Sequence, residues 1–585
     1  MKKYFLAVAS FFIYSHISLG QVYPGQMDST FVPVRSHHYD PELTFDFCVN
    51  EPAWSNQAGI HSAFGSTDRL YFRKEVPVNH DNDLSSSYST TVWRGERANA
   101  QILVWSSEAL EQVRVSTQDL RSAEGNIIPK DRITFELVRY VLSNYPYAEK
   151  KAICGESPYK SGFLMPDRFE TLDRFDLPSQ TTRPVWMMVD VPRGTAPGTY
   201  KGQVEVRAKG KAPQFLNLEI VVQNQLLPYP KDWKYRLDLW QNPWAVAWYN
   251  HVEPWSPEHK MLLKQHLKHY ADAGGTYITT YGVHSPWSDN SYMIEGGMIE
   301  WIKKADGTWA FDYKIFDEYV ELAMECGINE AITLYTPIPW GFRHRYKDEA
   351  TGDYSYINWA PSSEEFKKMW NIFLTDFKFH LEAKSWLDIT YIGINENPME
   401  ETLAAINVVR NHDKCWKITY AGNWHKELDG LLDDYSFLYG EEPTIAEQKA
   451  RAATGRTSTV YVCCNPPIPN NFVFSPPIEG RWISWYVMAY GYDGFLRWAY
   501  DAWPEDADRD RFEKMREGIV DFEKVRILRE LTAQSGNAQA QGLLKQLDQH
   551  LSIFPKEKEF DENKISADVR KGNLIIRQLS DLLAK

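Results

Sequence analysis

The chain has 585 residues, a formal net charge of −14 and an aromatic content of 14%. This length exceeds one compact domain, so two or three domains are expected. The acidic residues are spread along the chain, which argues against nucleic acid and anionic membranes as partners. Its six cysteines are too few and too scattered for a disulfide scaffold, although Cys48 could pair with Cys154 in an oxidising compartment.

Residues 1–20 have the pattern of a secretory signal peptide. Lys2 and Lys3 precede an apolar run that ends near Ile17, and small residues stand before Gln21. No cysteine follows the run as it would in a lipoprotein, and no other segment is apolar for long enough to span a bilayer. The sequence therefore predicts cleavage before Gln21 and a secreted or periplasmic protein without a membrane anchor.

Residues 21–228 contain alternating β-forming runs separated by turn residues, and helical periodicity is nearly absent. The clearest runs are 101–105, 133–138, 184–191, 199–206 and 216–222. A dense cluster of Pro and Gly at 192–198 predicts a turn between two of them. We therefore predict an antiparallel β-sandwich, which a stiff linker at 226–230 follows.

From residue 229 to 510 the pattern changes to repeated strand, loop and helix. Predicted strands are 233–240, 276–281, 331–336, 389–394, 417–421, 435–439, 458–463 and 494–499, and the clearest helices between them are 256–273, 362–383 and 399–412. A hairpin around Asp306 and Gly307 is expected at 298–313. Eight alternations predict a (β/α)8 TIM barrel, with a C-terminal helical segment at 511–585 that packs on it.

A TIM barrel places its chemistry at the carboxyl ends of its strands. At those positions the sequence has aromatic, amide and carboxylate side chains: Trp240, Asn242, Tyr281, His284, Tyr335, Trp340, Asn395, Glu396, Asn423, Trp424, Glu441, Glu442, Asn465, Trp498, Tyr500 and Asp501. The sequence has no Ser-His-Asp arrangement, no phosphate-binding glycine loop and no His-x-x-x-His pattern. Aromatic rings stack on sugars and planar polar groups bind hydroxyls, so this set favours a carbohydrate site without a metal or cofactor.

The segment 391–398, YIGINENP, is the most informative of these strand ends. A short apolar run ends in a carboxylate between two amides, and Pro398 prevents the strand from continuing. Glycoside cleavage normally uses two carboxyl groups, one as acid and the other as nucleophile or base. Glu396 is well placed as the acid, and Glu441 or Glu442 could supply the second carboxylate. The other solution is substrate assistance, in which the 2-acetamido group of the sugar attacks its own anomeric carbon.

Several segments resemble glycoside hydrolase family 123, the N-acetyl-β-galactosaminidases, and its related domains of unassigned function. They are 93–97 with Gln101, 195–202, 391–396, 459–467 with 469–470, 493–500 and 516–523. The resemblance implies a sandwich-plus-barrel architecture and an exo-acting, retaining enzyme that releases terminal β-linked N-acetylgalactosamine through an oxazolinium intermediate. The family uses an Asp-Glu pair at the end of strand 4. Glu396 falls on the acid of this pair, and Asn395 falls on the aspartate that orients the acetamide.

The chain departs from the family pattern at two places. Asn395 can orient an acetamide through its carbonyl oxygen but lacks the charge of aspartate. The chain also runs from Trp503 and Pro504 directly to Asp510, where the family pattern has a longer segment. Two alternatives therefore stay open: a catalytically degenerate carbohydrate-binding barrel, and a conventional two-carboxylate glycosidase for a sugar without an acetamide group.

Further side chains are predicted to bind the sugar. Trp498 or Trp485 would form the floor of the pocket, and Tyr335 or Tyr461 would hydrogen-bond the acetamide oxygen. The other predicted substrate-binding residues are His284, Asn423, Glu479 and Arg497. Arg497 could equally be a buried ion-pair partner, and Glu479 opens the helix before strand 8, where a helix N-terminus favours an acid. The sequence indicates no oligomeric state.

Overall fold

The computed structural model describes residues 51–78, 84–143, 147–148, 151–152, 163–287, 294–464, 466, 468–498, 500, 510–556 and 560–584. The predicted signal peptide at 1–20, the Cys48–Cys154 pair, Asn465, Asp501 and the segment after Trp503 lie outside these residues. The chain forms two compact units. The first contains the chain up to Pro228 with Cys464–Ile483 and Asp508–Lys585, and the second contains Tyr229–Cys463 with Ser484–Ala507. In the described part of the chain, no helix is both long and apolar enough to cross a membrane.

Two β-sheets form the sandwich of the first unit, as predicted. One has, in spatial order, the antiparallel strands His61–Gly65, Arg97–Ser106, Thr181–Asp190, Ile133–Ser143 and Phe163–Glu170. The other has Phe175–Leu177, Leu110–Thr117, Gly198–Arg207, Gln214–Leu226 and Ser87–Arg94, with Leu120–Arg121 and Ile127–Ile128 beside them. Its last pairing, between Gln214–Leu226 and Ser87–Arg94, is parallel, which the sequence did not predict. A short helix, Glu51–Trp54, and a two-stranded sheet, Tyr147–Ala148 with Lys151–Ala152, complete this part of the unit.

The strand Thr181–Asp190 is buried on both faces. Val185, Met187 and Val189 face the core between the two sheets. Trp186 and Met188, on the opposite face, form a second apolar cluster with Val138 and Phe169. A sheet with one solvated face would show alternating polar residues, so this strand indicates that another layer covers the outer face.

Three C-terminal helices, Asp510–Ser535, Ala538–Leu551 and Glu562–Leu583, pack on the sandwich. Trp93 Nε1 donates to Ser580 Oγ at 3.0 Å, and Lys524 Nζ lies 2.6 Å from a carboxylate oxygen of Glu96. The sequence predicted that this segment packs on the barrel. The contacts with the sandwich were not predicted, because side chains such as Glu513 and Lys524 are buried ion-pair partners of the sandwich rather than a solvated helix face.

Eight parallel strands form the barrel of the second unit and confirm the predicted (β/α)8 class. Barrel strands 1 to 8 are Arg236–Leu239, Tyr277–Tyr281, Ala331–Tyr335, Thr390–Ile394, Lys417–Gly422, Asp434–Leu438, Thr457–Val462 and Gly494–Arg497. They pair in the order 1-8-7-6-5-4-3-2, and a bridge from Leu237 to Gly275 brings strand 1 beside the start of strand 2.

The helices between the barrel strands are Pro243–Asn250, Pro257–Asp272, Lys314–Glu325, Glu364–Lys384, Met399–His412, Lys426–Asp429, Ile445–Ala452 and Ile478–Tyr490. Ser256 and Ser363 cap two of them, each accepting a backbone N–H from the first turn. The predicted helix 399–412 has its predicted bounds. The three helices predicted from the sequence therefore lie within about two residues of the observed ones.

A four-stranded sheet is inserted in the loops after barrel strands 2 and 3, and we call it the accessory sheet. Its strands are Glu300–Lys303, Trp309–Asp312, Arg343–Asp348 and Tyr354–Asn358. The first two form the predicted hairpin around Gly307, whereas the second hairpin was not predicted. One face of the sheet packs inward, because His344 is buried beside Trp359 and Trp370.

Candidate active site

Barrel strand 4 ends at Ile394, one residue before the predicted pair. Asn395 is only 4% exposed, and the chain bends at Glu396, whose side chain is exposed. Pro398 is the N-cap of the next helix, which begins at Met399. Successive side chains on an extended strand point to opposite faces, so the end of the strand and the bend allow the amide and the acid to share one site.

The orientation of the Asn395 side chain is fixed by two tryptophans. The indole N–H groups of Trp340 and Trp287 point to the same atom of the Asn395 carboxamide, at 2.9 and 3.3 Å. An indole N–H can only donate, so this atom is the carbonyl oxygen. Trp340 follows barrel strand 3 and Trp287 follows strand 2, so neighbouring strand ends converge on the end of strand 4.

This orientation determines which group Asn395 can offer to a ligand. A carbonyl oxygen has two lone pairs, and the two indole donors account for both. The remaining polar group of the side chain is the NH2, which can only donate. At the corresponding position an aspartate would keep its second oxygen as an acceptor. Asn395 therefore offers a hydrogen-bond donor where an aspartate would offer an acceptor.

An aromatic cluster surrounds Trp287, one of the two tryptophan donors. The rings of Trp240 and Trp287 stack at a centroid distance of 5.1 Å, and Trp498 meets Trp287 edge to face, also at 5.1 Å. Tyr335 is buried against Trp240 at 4.4 Å, and its ring lies so close to Gly393 that a Cβ there would be 2.8 Å from it. Trp498 is half-exposed, so of the two tryptophans predicted to form the floor of the pocket it is the one with surface accessible to a ligand.

Tyr461 holds the candidate acid. Its hydroxyl donates to Oε1 of Glu396, although Tyr461 belongs to barrel strand 7 and Glu396 follows strand 4. Burial, and then the nearby Glu396, raise the pKa of Tyr461 far above its ordinary value, so the hydroxyl stays protonated as a donor. Tyr461 was predicted to contact the acetamide. The structure brings it to the carboxyl group.

A second carboxylate, Glu442, lies after barrel strand 6. Its Oε1 accepts from the Tyr486 hydroxyl at 2.6 Å, and its Oε2 accepts from the Gly440 N–H at 2.8 Å. Burial raises the pKa of Glu442, against the lowering effect of these donors. Its neighbour Glu441 is exposed. Glu442 is therefore the better placed of the two for the conventional mechanism that the sequence left open.

Two predicted substrate-binding residues have deeply buried side chains. Trp485 is 0% exposed in the helix Ile478–Tyr490, so it presents no ring face to a ligand. Glu479 is 2% exposed, and its carboxylate accepts from the Asn470 N–H at 2.7 Å. Burial raises the pKa of Glu479 to about 8. Glu479 belongs to the first compact unit, whereas Glu396 belongs to the second.

The remaining predicted residues follow barrel strands 2, 5 and 8. His284 is half-buried, and burial together with Arg345 and Arg343 lowers its pKa to about 3, so its ring is neutral at physiological pH. Asn423 is exposed directly after strand 5. Arg497 ends strand 8, where its guanidinium donates to the Trp498 carbonyl oxygen. His284 and Asn423 have surface available to a ligand, and the described contact of Arg497 is structural.

Trp287 and Tyr486 are functional candidates that the sequence analysis missed. Trp287 could have been found, because it stands in the loop after a predicted strand beside His284. Tyr486 gave no such signal, since it lies on a helix and contacts Glu442 only through the fold. Within the described ranges, no group of three or more His, Cys, Asp and Glu side chains could hold a metal ion.

The adjacent cysteines after barrel strand 7 differ from each other. Cys464 is disulfide-bonded, whereas Cys463 is a free thiol, as are Cys326 and Cys415. Strand 7 ends at Val462, so both adjacent cysteines lie beyond it. A disulfide at this position was not predicted.

Comparisons with known proteins match both units. The model of the glycoside hydrolase 123 catalytic domain matches residues 240–511, and that of the glycoside hydrolase 123 N-terminal domain matches residues 64–208. A solved family 123 glycoside hydrolase from Clostridium perfringens, described for glycolipid glycan hydrolysis, is 23% identical with a TM-score of 0.77. The match covers 90% of this chain and 98% of that chain. No curated protein sequence matches the chain.

Two other glycoside hydrolase structures are much less similar. A family 5 xyloglucanase from Bacteroides ovatus is 8% identical with a TM-score of 0.27, covering 74% of this chain and 98% of that chain. A family 39 enzyme from Bacteroides cellulosilyticus is 11% identical with a TM-score of 0.31, covering 70% of this chain and 81% of that chain. These low scores carry no argument about the site.

Proposed function

Because the chain belongs to glycoside hydrolase family 123, we propose that it is an exported, exo-acting, retaining enzyme that releases terminal β-linked N-acetylgalactosamine from glycans. Family membership supports glycan hydrolysis in general. The identity of the sugar, the retaining mechanism and the export of the protein are parts of the proposal. Export rests on the pattern of residues 1–20 alone.

The observation that carries the proposal is the arrangement at the end of barrel strand 4, where an exposed acid stands beside a fixed amide. Glu396 has its carboxyl group held by Tyr461, and Asn395 has its carboxamide held by Trp287 and Trp340. The aromatic cluster with Trp498 provides the apolar surface on which a sugar ring can stack. An acid, an adjacent polar group and a stacking surface are what substrate assistance requires.

In the proposed reaction the acetamide oxygen of the substrate attacks the anomeric carbon. The bond from that carbon to the leaving oxygen breaks, and the leaving oxygen takes the proton of Glu396. Water then attacks the anomeric carbon of the oxazolinium and gives its proton to Glu396, which restores the acetamide and retains the configuration. One carboxyl group thus serves first as acid and then as base.

Asn395 contributes through its NH2 group. With its oxygen bound to two indoles, this side chain cannot accept the acetamide N–H. We propose that it donates to the acetamide oxygen and holds that oxygen near the anomeric carbon, while the other lone pair of the oxygen attacks. A donor here weakens the nucleophile and leaves the positive charge of the oxazolinium uncompensated. The expected enzyme is therefore slower than one with aspartate.

The test is hydrolysis of an aryl β-N-acetylgalactosaminide with and without a thiazoline mimic of the oxazolinium. The wild type is expected to turn over and to be inhibited by the thiazoline, and Glu396→Gln is expected to be slower, most of all on a substrate with a poor leaving group. Glu442→Gln is the matched control, because it neutralises another tyrosine-held carboxylate at a barrel strand end. Turnover that the thiazoline does not inhibit would contradict substrate assistance.

The conventional two-carboxylate mechanism is the second candidate, and the position of Glu442, a tyrosine-held carboxylate after barrel strand 6, favours it. It predicts that Glu442→Gln abolishes hydrolysis and that an aryl glycoside without an acetamide is cleaved. A degenerate binding protein is the third candidate, and the saturated oxygen of Asn395 favours it. It predicts that the thiazoline binds in calorimetry while no glycoside turns over.

A further inference from the structure

The outward face of the accessory sheet carries a row of positive charges. Arg343, Arg345 and Lys347 alternate along one strand, so their side chains share one face, and the neighbouring strand places Tyr354 and Tyr356 on the same face. Arg345 is directly opposite Tyr356, and Lys347 is directly opposite Tyr354. We call these five residues the cationic face.

Each arginine of the cationic face stacks on a tyrosine ring. The guanidinium carbon of Arg343 lies 3.8 Å from the ring centroid of Tyr356, and that of Arg345 lies 4.2 Å from the centroid of Tyr354. Both tyrosines are about half exposed, at 50% for Tyr354 and 48% for Tyr356. A stacked guanidinium keeps its in-plane N–H groups free, and these bind carboxylate or sulfate oxygens in pairs.

No ion pair neutralises these cations in the part of the chain that the structure describes. Arg343, Arg345 and Lys347 form no described ion pair. One carboxylate contacts the tyrosines of this face, that of Glu300, which accepts from the Tyr354 hydroxyl at 2.5 Å. The two arginines also act on His284, whose pKa is lowered first by burial and then by their positive charges. In a protein with a net charge of −14, an unpaired cationic row is a local exception.

The cationic face begins beside the candidate active site. Arg343 follows Trp340 by three residues, and the Trp340 indole donates to Asn395. The base of the hairpin is closed there, because the Asn358 side chain donates to the Gly341 carbonyl and the Trp359 N–H donates to the Phe342 carbonyl. A glycan chain that leaves the site toward the accessory sheet would therefore meet arginine and tyrosine side chains.

We propose that the cationic face binds the anionic part of a glycan, through sulfate or carboxylate groups on sugars beyond the one in the active site. Stacked arginines supply paired donors for these anions, and the tyrosines supply surface for the sugar rings. A short acidic oligosaccharide contacts this face locally. An anionic membrane or nucleic acid would also approach the remaining acidic surface, which disfavours both. The proposal concerns binding and does not depend on hydrolysis.

The experiment measures binding by titration calorimetry with full-length Glu396→Gln protein, so that no probe is cleaved. The probes are a sulfated chondroitin oligosaccharide, its unsulfated form, a neutral oligosaccharide that ends in β-N-acetylgalactosamine, and phosphatidylserine vesicles. We expect the sulfated and unsulfated acidic probes to bind more tightly than the neutral one, with affinity falling as salt rises. The difference in affinity between the sulfated and the unsulfated acidic probe separates recognition of sulfate from recognition of carboxylate.

The test variant is Arg343→Gln with Arg345→Gln, and we expect it to weaken acidic-probe binding by about tenfold or more, as when charge-assisted hydrogen bonds are lost. The matched control is Lys368→Gln with Lys414→Gln, which removes the same charge from two exposed lysines elsewhere. The single variant Lys347→Gln should weaken binding by about threefold, and thermal unfolding checks that each variant is folded. The proposal would be overturned if the control variant weakened binding equally or if the neutral probe bound most tightly. Binding to the vesicles alone would also overturn it.

Discussion

Two carboxylates at the barrel strand ends, Glu396 and Glu442, are held alike but differ in their surroundings. Each accepts a hydrogen bond from a tyrosine hydroxyl, Tyr461 for Glu396 and Tyr486 for Glu442. The side chain of Glu396 is exposed and stands beside a buried amide. The side chain of Glu442 is partly buried, which raises its pKa, and its neighbour Glu441 is exposed.

The residue next to each carboxylate indicates its role better than the hydrogen bond that holds it. Asn395 is a polar group that the fold fixes in one orientation beside Glu396. Glu442 has no comparable fixed neighbour among the contacts described, since its additional donor is the backbone N–H of Gly440. Glu396 therefore fits the role of acid/base, and Glu442 fits that of a structural carboxylate.

Neutralising each carboxylate in turn tests this difference most strongly. Glu396→Gln should lower kcat/KM by about 10³-fold or more on a substrate with a poor leaving group, because general acid catalysis contributes on this scale. The loss should be smaller on a nitrophenyl glycoside, whose leaving group needs little protonation. Glu442→Gln should change kcat/KM less than about threefold. Steady-state kinetics with both leaving groups measures these values, and equal losses for the two variants would remove the distinction.

Changing the neighbour of Glu396 should raise activity. Asn395→Asp replaces the NH2 group by an acceptor oxygen, which can take the acetamide N–H and offset the charge of the oxazolinium. We expect kcat to rise by about 100-fold, the lower end of the range for one transition-state stabiliser. Glu441→Asp is the control, since it alters an exposed acid beside Glu442. Unchanged or lower kcat in Asn395→Asp would show that the family role does not apply to this position.

Removing the tyrosine hydroxyls tests whether the two hydrogen bonds are equivalent. Tyr461→Phe should lower kcat by about tenfold, because a hydrogen bond to a charged group typically contributes about 1.5–3 kcal/mol and this one positions the acid. KM should change little if substrate binding is unaffected. Tyr486→Phe should leave kcat nearly unchanged, while the melting temperature of both variants reports any general destabilisation. A larger kcat loss in Tyr486→Phe would reverse the assignment.

A third carboxylate, Glu479, extends the comparison to stability. Its pKa is raised to about 8 in the folded protein, so between about pH 4.5 and pH 8 the folded state binds more protons than the unfolded state. Stability should therefore fall as pH rises through this window, by at most about 1.4 kcal/mol per pH unit from this group. Glu479→Gln should flatten the dependence of the melting temperature on pH, whereas Glu441→Gln should not. An unchanged slope in Glu479→Gln would show that Glu479 does not titrate in this window.

The barrel was predictable because its signals are local. Short apolar runs located all eight strands, and the predicted helices 256–273 and 362–383 lie within about two residues of the observed ones. The second hairpin of the accessory sheet was missed, because Arg343–Asp348 alternates charged and aromatic residues without the apolar period of a core strand. The contacts of Asp510–Ser535 with the sandwich were missed for a related reason, since the helix face that makes them is charged.

The strand-end acid was also predictable, but its partners were not. The pattern around Glu396 indicated the site before any contact was known. The approach of Tyr461 from strand 7, the two indoles on Asn395 and the burial of Trp485 depend on how distant strands meet. Contacts between distant strands produce no residue spacing in the sequence from which they could be predicted.

The sandwich unit draws on three separate stretches of chain, and this affects how the protein can be made. Glu96 and Asp167 have their ionic partners, Lys524 and Arg511, more than 300 residues later in the chain. The segments that form the first sheets therefore leave the ribosome long before the residues that neutralise their charges are translated. The amino-terminal stretch cannot form these two ion pairs until the C-terminal helices are synthesised.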